Sequence, residues 1–414
     1  MKATFTKAIR YIVDIICESP LRTGGSAKDT QSILRDAALL PFVQGTSLAG
    51  AFRSWRKDPE LFAEPGCTSA LMFSDLHLED VKPVVRPRLR INGATGTADD
   101  RKKFDMAAMP TGTHGSFQMV WTGDSDPVKM AEKIEAYLSA LNSGEITLGA
   151  LKANGFGRLR VSAKRRIYDM TNPGNLEAWL QGSEVTDGEP VSLRERMEQN
   201  ILFTVTATVP SILIKASGGD RSQGGAHLIQ MREAGRSIVP GSTLKGIIRS
   251  QMVRICPHLH RRPEELEQLF GHENRKNIGG MAGVLRFSDG ILTNEKTLRT
   301  YRIRINRLTG GVIRTGMFTE EPVTAALKFE IRIPAERRAG CALLLYALRD
   351  LGLGLYELGS GTAVGRGRLE AVQVQITSPD SDAQLRCTKD GVELSDPDGL
   401  IARWEQALKE RGRL

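Results

Sequence analysis

Short alternating apolar runs recur along the chain, separated by stretches whose apolar residues return every three or four positions. AIRYIVDIIC (8–17) and LFTVTATVP (202–210) alternate and are rich in β-branched residues, which predicts a strand at each. SFQMVWTG (116–123) and ALKFEIRIP (326–334) read the same way. Helical spacing runs through TSLAGAFRSW (46–55), STLKGIIRSQMVRI (242–255), DPVKMAEKIEAYLSALNSG (126–144) and GCALLLYALRDLGLG (340–354). An FSD segment (73–75 and 287–289) reads as a further strand in each half. Each half then closes with a glycine-rich loop and a short strand, RLRVSA (158–163) or RLEAVQVQI (368–376). The order strand–helix–strand–strand–helix–strand, met twice, predicts an α+β protein of two tandem ferredoxin-like or RRM-like domains. Such a sheet offers an open face for single-stranded RNA.

The two halves are copies of one unit. LLPFVQGTSLAGAFRSW (39–55) matches GRSIVPGSTLKGIIRSQ (235–251), pairing Gly45 with Gly241 and Arg53 with Arg249 at an offset of 196. MFSD (72–75) pairs with RFSD (286–289), and RLRINGATG (88–96) with RIRINRLTG (302–310), both at 214. GFGRLR (155–160) pairs with GRGRLE (365–370) at 210. Four blocks in one order exclude chance similarity of loops. The rise from 196 to 214 places an insertion of 18 residues in the second copy, between Arg249 and Phe287. The expected domains are 1–172 and 201–378, joined by a linker over 173–200 that is rich in turn formers and acids. An extension over 379–414 ends in a helix marked by Leu400, Ile401, Trp404 and Leu408.

Charge narrows the partner. Lys and Arg number 57 against 48 acidic residues in 414, a net charge of +9, which favours an anionic partner. The arginines cluster, at Arg86, Arg88 and Arg90 and again at Arg299, Arg302, Arg304 and Arg307. A guanidinium binds phosphate bidentately and stacks on bases, which suits RNA. No apolar run approaches the roughly 20 residues a membrane helix needs, so no membrane partner is expected. The start lacks a signal-peptide pattern, and five cysteines without paired spacing fit a reducing, cytoplasmic setting. No Walker motif, HD pair or GGDD sequence occurs, which argues against nucleotide hydrolysis and cyclic-nucleotide synthesis.

Two motifs carry candidate RNA contacts. The first is a Gly-Ser turn at a helix start: Gly241, Ser242, Thr243, Lys245 and Arg249, matched by Gly45, Thr46, Ser47 and Arg53, with Ala49 in place of Lys245. Ser242 and Thr243 can cap the helix, and free N–H groups there attract phosphate. Lys245 and Arg249, four apart, share a face. An ordinary capped helix explains the turn equally well. The second is a Gly-Arg loop: Gly155, Gly157 and Arg158, matched by Gly365, Arg366, Gly367 and Arg368. Glycines let the chain follow a phosphate closely and arginines supply charge, although tight turns alone also use this pattern.

The run of a glycine-rich loop, PGSTLKGIIR, an FSD strand, INRLTGG and a closing G-x-G-R loop resembles the RAMP (repeat-associated mysterious protein) superfamily. Within it the chain is most similar to the branch forming the guide-RNA backbone of type III CRISPR effector complexes. The resemblance covers almost the whole chain, twice, and the first copy is the more diverged. It implies tandem RAMP domains with thumb hairpin insertions that wedge between guide–target base pairs. The stretches 311–321 and 97–109 match the thumb, with Phe104, Met106, Met317 and Phe318 as wedges. Implied partners are the CRISPR guide RNA, target RNA and other effector subunits.

The resemblance also implies chemistry. Active backbone units carry an aspartate ahead of an Arg-Asp pair, and here Asp29 stands six residues before Arg35. Such a carboxylate can hold Mg²⁺ or Mn²⁺ against the scissile phosphate or assist the 2′-hydroxyl. The second copy has Ala226 there, with His227 beside it and Asp220 upstream. A zinc site is common after the helix of this branch, and Cys256, His258 and His260 are the candidate ligands for Zn²⁺, although no Cys-x-x-Cys is present. Two alternatives stay open: a non-catalytic guide-RNA scaffold, and a guide-processing RAMP endoribonuclease. The latter branch leans on a histidine near its N-terminus, and this chain has none before His77.

Overall fold

A computed structural model describes residues 5–24, 32–63, 67–91, 98–182, 188–195, 198–217, 226–272, 274, 279–388, 391–412 and 414, without the side chains of 88–91, 98–104 and 315. The chain divides into two compact units, Met1–Lys152 with Phe156–Glu198, and Ala153–Gly155 with Gln199–Leu414. Each is a ferredoxin-like α+β domain with an inserted hairpin.

In the first unit the alternation of the opening strand Lys7–Cys17 buries Ile9, Tyr11, Val13 and Ile15 and exposes Asp14 and Ile16. This strand lies between His114–Gly123 and Leu159–Asp169, antiparallel to both. Leu71–Phe73 and Leu76–Leu78 pair on the far side of His114–Gly123, completing the ferredoxin-like order. Helix Pro127–Ser143 starts where Asp126 accepts the Val128 N–H at 2.9 Å, with Pro127 at its first turn, and stops at left-handed Gly144. Its Tyr137 stacks on Phe52 of helix Gly45–Trp55 at 5.7 Å, so both helices share one core beneath the sheet.

The second unit repeats the plan around Asn200–Ile212, flanked by Val323–Pro334 and Glu370–Thr377. Gly290–Thr297 extends one side, and helices Gly241–Ile255 and Arg338–Gly352 contribute Ile248, Met252, Leu344 and Leu348 to the core. Strands Asp382–Thr388 and Gly391–Ser395 widen the sheet beyond Glu370–Thr377, where the turn-rich sequence suggests no strand. The terminal helix Leu400–Lys409 packs on Arg338–Gly352 and sets Trp404 5.8 Å from Phe203.

The stretch read as a linker is partly helical. Asn172 caps Pro173–Leu180, and Trp179 lies 5.3 Å from Tyr168 and 4.6 Å from the Arg10 guanidinium. This helix covers one end of the open sheet face. The remainder of that face exposes Asp14, Ser116, Gln118, Ser162 and Lys164. Among the described residues the exposed Phe, Tyr or Trp ring is Tyr301, on a hairpin. The described part of that face therefore presents no exposed Phe, Tyr or Trp for base stacking, the RRM mode, and its exposed ring is the His114 imidazole.

The closing loops explain their glycines. Gly157 has φ +79°, and a Cβ there would lie 1.8 Å from the Leu148 carbonyl oxygen; Gly367 has φ +82° and meets the Leu358 oxygen at the same 1.8 Å. In contrast, Gly365 has φ +83° but nothing within 4 Å of an added Cβ. Gly367→Ala should therefore cost about 3 kcal/mol or more, from strain and overpacking together, and Gly365→Ala about 1 kcal/mol from backbone strain alone. Thermal denaturation of the two variants checks this, with the Gly367 change expected to lower Tm by roughly 6 °C or more.

Candidate nucleic-acid interface

The Gly-Ser turns are held by the FSD motif. The Gly241 N–H donates to Asp289 Oδ1 at 2.8 Å, and the Gly45 N–H donates to Asp75 Oδ1 at 2.7 Å. A Cβ on Gly45 would come within 2.7 Å of the Phe73 oxygen, and one on Gly241 within 2.8 Å of the Phe287 oxygen. The motif serine fixes the same corner: Ser288 Oγ donates to the Asp289 carbonyl and accepts the Glu330 N–H, as Ser74 Oγ does with Asp75 and Gln118. The expected capping by Ser242 and Thr243 is not found. They lie inside the first turn, Pro240 and Gln44 hold the cap position without a side-chain bond, and the cap is the distant aspartate. A carboxylate already satisfies each helix dipole, so phosphate attraction there is weaker than a bare helix end would give.

About two turns further along, Arg53 and Arg249 are exposed at equivalent positions. Arg249 lies 5.6 Å from the Phe270 ring, and Lys245 Nζ donates to the Phe270 carbonyl at 3.2 Å. Lys245 is thus drawn toward its own fold, while Arg53 carries no ion pair among the described residues. Thr46, Ser47 and Ser242 are exposed in the first turn of the same helices.

In the closing loops the arginines differ in availability. Arg158 Nε lies 2.7 Å from Glu18 Oε2, and Arg160 shares that carboxylate at 2.9 Å. Arg368 is exposed and lies over Gly354. Arg366, a candidate RNA contact by sequence, is only 6% exposed. Its Nη1 donates to Glu320 Oε2 at 2.7 Å and its Nη2 to Thr300 Oγ1 at 3.2 Å. Burial and this ion pair take Arg366 out of reach of a phosphate, which corrects the reading of GRGR as two phosphate arginines.

That ion pair anchors a hairpin. Strands Thr300–Ile305 and Val312–Glu321 pair with Thr300 opposite Glu320, and Arg302 Nε reaches the same carboxylate at 3.0 Å. In the first unit, Val84–Ile91 pairs with Ala98–Ala108, setting Arg86 opposite Met106. Arg86 is buried and stacks its guanidinium 5.0 Å from the Phe156 ring. Residues 86 and 300, like 156 and 366, are equivalent in the repeat, so one contact is kept with different chemistry. On the second hairpin Tyr301, Ile303, Ile305 and Met317 are exposed, whereas Phe318 is half-buried. Met106 is also half-buried, and the Phe104 side chain lies outside the described residues.

The catalytic candidate Asp29 and its alternative Asp220 lie outside the described residues. The exit of the Asp29 loop is fixed: Arg35 Nη1 is 2.9 Å from Asp80, and Asp36 Oδ1 accepts the Ala38 and Leu40 N–H groups at 2.9 Å each. In the second unit Ala226 is buried, and His227 Nδ1 lies 3.0 Å from Thr319 Oγ1, tying that segment to the hairpin. Among the described residues no three carboxylate, imidazole or thiol groups converge as a metal site. The candidate zinc ligands are not brought together. His258 and His260 are exposed, whereas Cys256 is buried in the core, where burial pushes its thiol up to about 11.

Two ferredoxin-like units, each with a hairpin anchored to its closing loop and an arginine-bearing helix beside it, define a tandem RNA-binding protein. The RAMP superfamily model matches residues 14–160 and 224–370, and the chain belongs to the RAMP superfamily. No curated protein matches it. Membership makes it a CRISPR-associated RNA-binding subunit, with CRISPR RNA and effector subunits as partners. Among the described residues no helix is long and apolar enough to cross a membrane.

Sequence inspection found the FSD blocks but missed the role of Asp75 and Asp289, although their recurrence after each glycine turn was a visible signal. It missed Glu320 and Phe156 altogether. Removing a helix cap costs about 1 kcal/mol, so Asp289→Ala should destabilise the second unit by that much, and Asp289→Asn by less because its amide oxygen still accepts. Arg366→Ala leaves Glu320 buried with Arg302 alone and should cost about 3 kcal/mol. Limited proteolysis should then cut within 300–321 sooner than in Asp289→Ala; equal protection of the hairpin in both variants would show that Glu320 does not depend on Arg366.

Proposed function

We propose that the chain is a guide-RNA-binding backbone subunit of a type III CRISPR interference complex, with its first copy taking part in metal-dependent cleavage of target RNA. The observation that carries the backbone reading is the equivalent placement, in two consecutive units, of an exposed helix arginine and a hairpin rooted in the closing loop. Two such units meet one extended strand at two similar positions, which suits a protein that tracks a guide rather than one that cuts once and releases.

The cleavage reading rests on Asp29 in the loop before Arg35 and Asp36, and on Ala226 at the matching place in the second copy. It makes the two copies unequal: both hold RNA and one cuts. Purified complex should carry RNA of discrete length, and joint replacement of Arg53, Arg249 and Arg368 by glutamate should remove it. These three guanidiniums are exposed, whereas Arg158 and Arg366 are committed to Glu18 and Glu320. Asp29→Ala should abolish one target cut, seen as loss of one product band, with guide RNA retained. Cutting at the normal rate in Asp29→Ala would leave the chain a guide-RNA scaffold.

A further inference from the structure

The second unit differs from the first by its insertion after Arg249 and by its C-terminal extension, and the two additions meet at one guanidinium. Arg261 is 6% exposed. Its Nη1 donates to Glu265 Oε2 at 2.9 Å, and its Nη2 donates to the carbonyls of Leu408 at 3.2 Å and Gly412 at 2.9 Å. Its buried Nε has no hydrogen-bond partner among the described residues. Beside it opens a cleft of about 440 Å³ lined by His260, Arg261, Arg262, Glu265 and Arg411.

The charge in this cleft is unbalanced. Glu265, the carboxylate in its lining, is fully engaged: Oε1 accepts the Arg262 backbone N–H at 2.9 Å and Oε2 takes Arg261. Those bonds, the backbone one foremost, hold its carboxyl below the usual range. Arg262 and Arg411 line the same opening, are exposed, and have no ion pair among the described residues. His260 and Arg411 both hold left-handed backbone, with φ of 54° and 57°, each at the end of a helix, so the cleft lies between two helix ends.

We propose that this cleft binds a phosphate of an RNA strand, at a site present once per chain because the first copy lacks both of its walls. Guanidiniums grip phosphate oxygens bidentately, and a volume within the roughly 300–1,000 Å³ of ligand pockets admits a nucleotide as well as its phosphate. The choice of RNA as ligand rests on the guide-binding reading; the anion site itself rests on the geometry.

Fluorescence anisotropy with a labelled single-stranded RNA, measured on the full chain across a KCl series, tests it. Arg262→Glu with Arg411→Glu should weaken binding roughly tenfold or more, since charged hydrogen bonds are each worth a sizeable fraction of a tenfold step or beyond. The dependence of log affinity on log salt should become shallower by about 0.7 for each phosphate the variant no longer neutralises. The melting temperature should hold, because both side chains are exposed. Should the glutamate pair disturb folding, the Arg262→Gln and Arg411→Gln pair should show an intermediate loss of affinity. Unchanged affinity and salt slope in a folded variant would overturn the site while leaving the guide-binding reading intact, as would capture of an acidic peptide there with RNA affinity unaltered. Failure of the wild-type chain to bind RNA at all would sink both.

Discussion

Where each last strand enters its sheet is decided by a backbone crossing that admits no Cβ. Gly157 passes the Leu148 carbonyl, and Gly367 the Leu358 carbonyl, at a separation that excludes every other residue. Each crossing is closed by a hydrogen bond from the leucine N–H to the glycine oxygen at 2.9 Å. The glycine N–H in turn reaches the end of the opening strand, at Pro20 in the first unit and Ser211 in the second. Everything nearby inherits its position from this point. The residue before the glycine is aimed at the hairpin root, and within three residues after it the chain enters the strand that flanks the opening one, Leu159–Asp169 or Glu370–Thr377.

The hairpin roots show what the fold keeps and what it lets vary. In one unit an arginine on the hairpin packs on a phenylalanine of the closing loop; in the other an arginine of the closing loop binds a glutamate and a threonine of the hairpin. A cation–π contact and a buried ion pair do the same mechanical work by different chemistry. The helix starts are the opposite case, since Asp75 and Asp289 make the same bond to the same glycine in both units. Together these contacts divide the arginines into those used up inside the fold and those left exposed to solvent.

Much of the fold was legible in the chain because it is written twice. Alternation in 8–17 and 202–210 and helical spacing in 126–144 located elements whose burial matches that pattern. The strands Asp382–Thr388 and Gly391–Ser395 escaped notice because Ala383, Leu385 and Cys387 alternate over one short segment framed by turn formers. The helix Pro173–Leu180 escaped because its single anchoring ring, Trp179, sits among polar residues that give no amphipathic stripe. The site was less legible than the fold. A glycine-arginine motif looks the same whether its glycine serves a phosphate or a backbone crossing. Nor does sequence reveal that Arg366 has a buried carboxylate waiting 46 residues upstream in Glu320.

On the proposed reading the two units share one plan for meeting RNA, through the face of the helix that follows the glycine turn and through the rooted hairpin. The most direct measurement is ultraviolet crosslinking of the purified full chain to its bound RNA, with peptide mapping by mass spectrometry. Crosslinks should fall in both units at equivalent places, within 45–55 and 241–255 and on the hairpins near Tyr301. Crosslinks confined to one unit, or spread over the open sheet faces with none on these helices, would contradict the account.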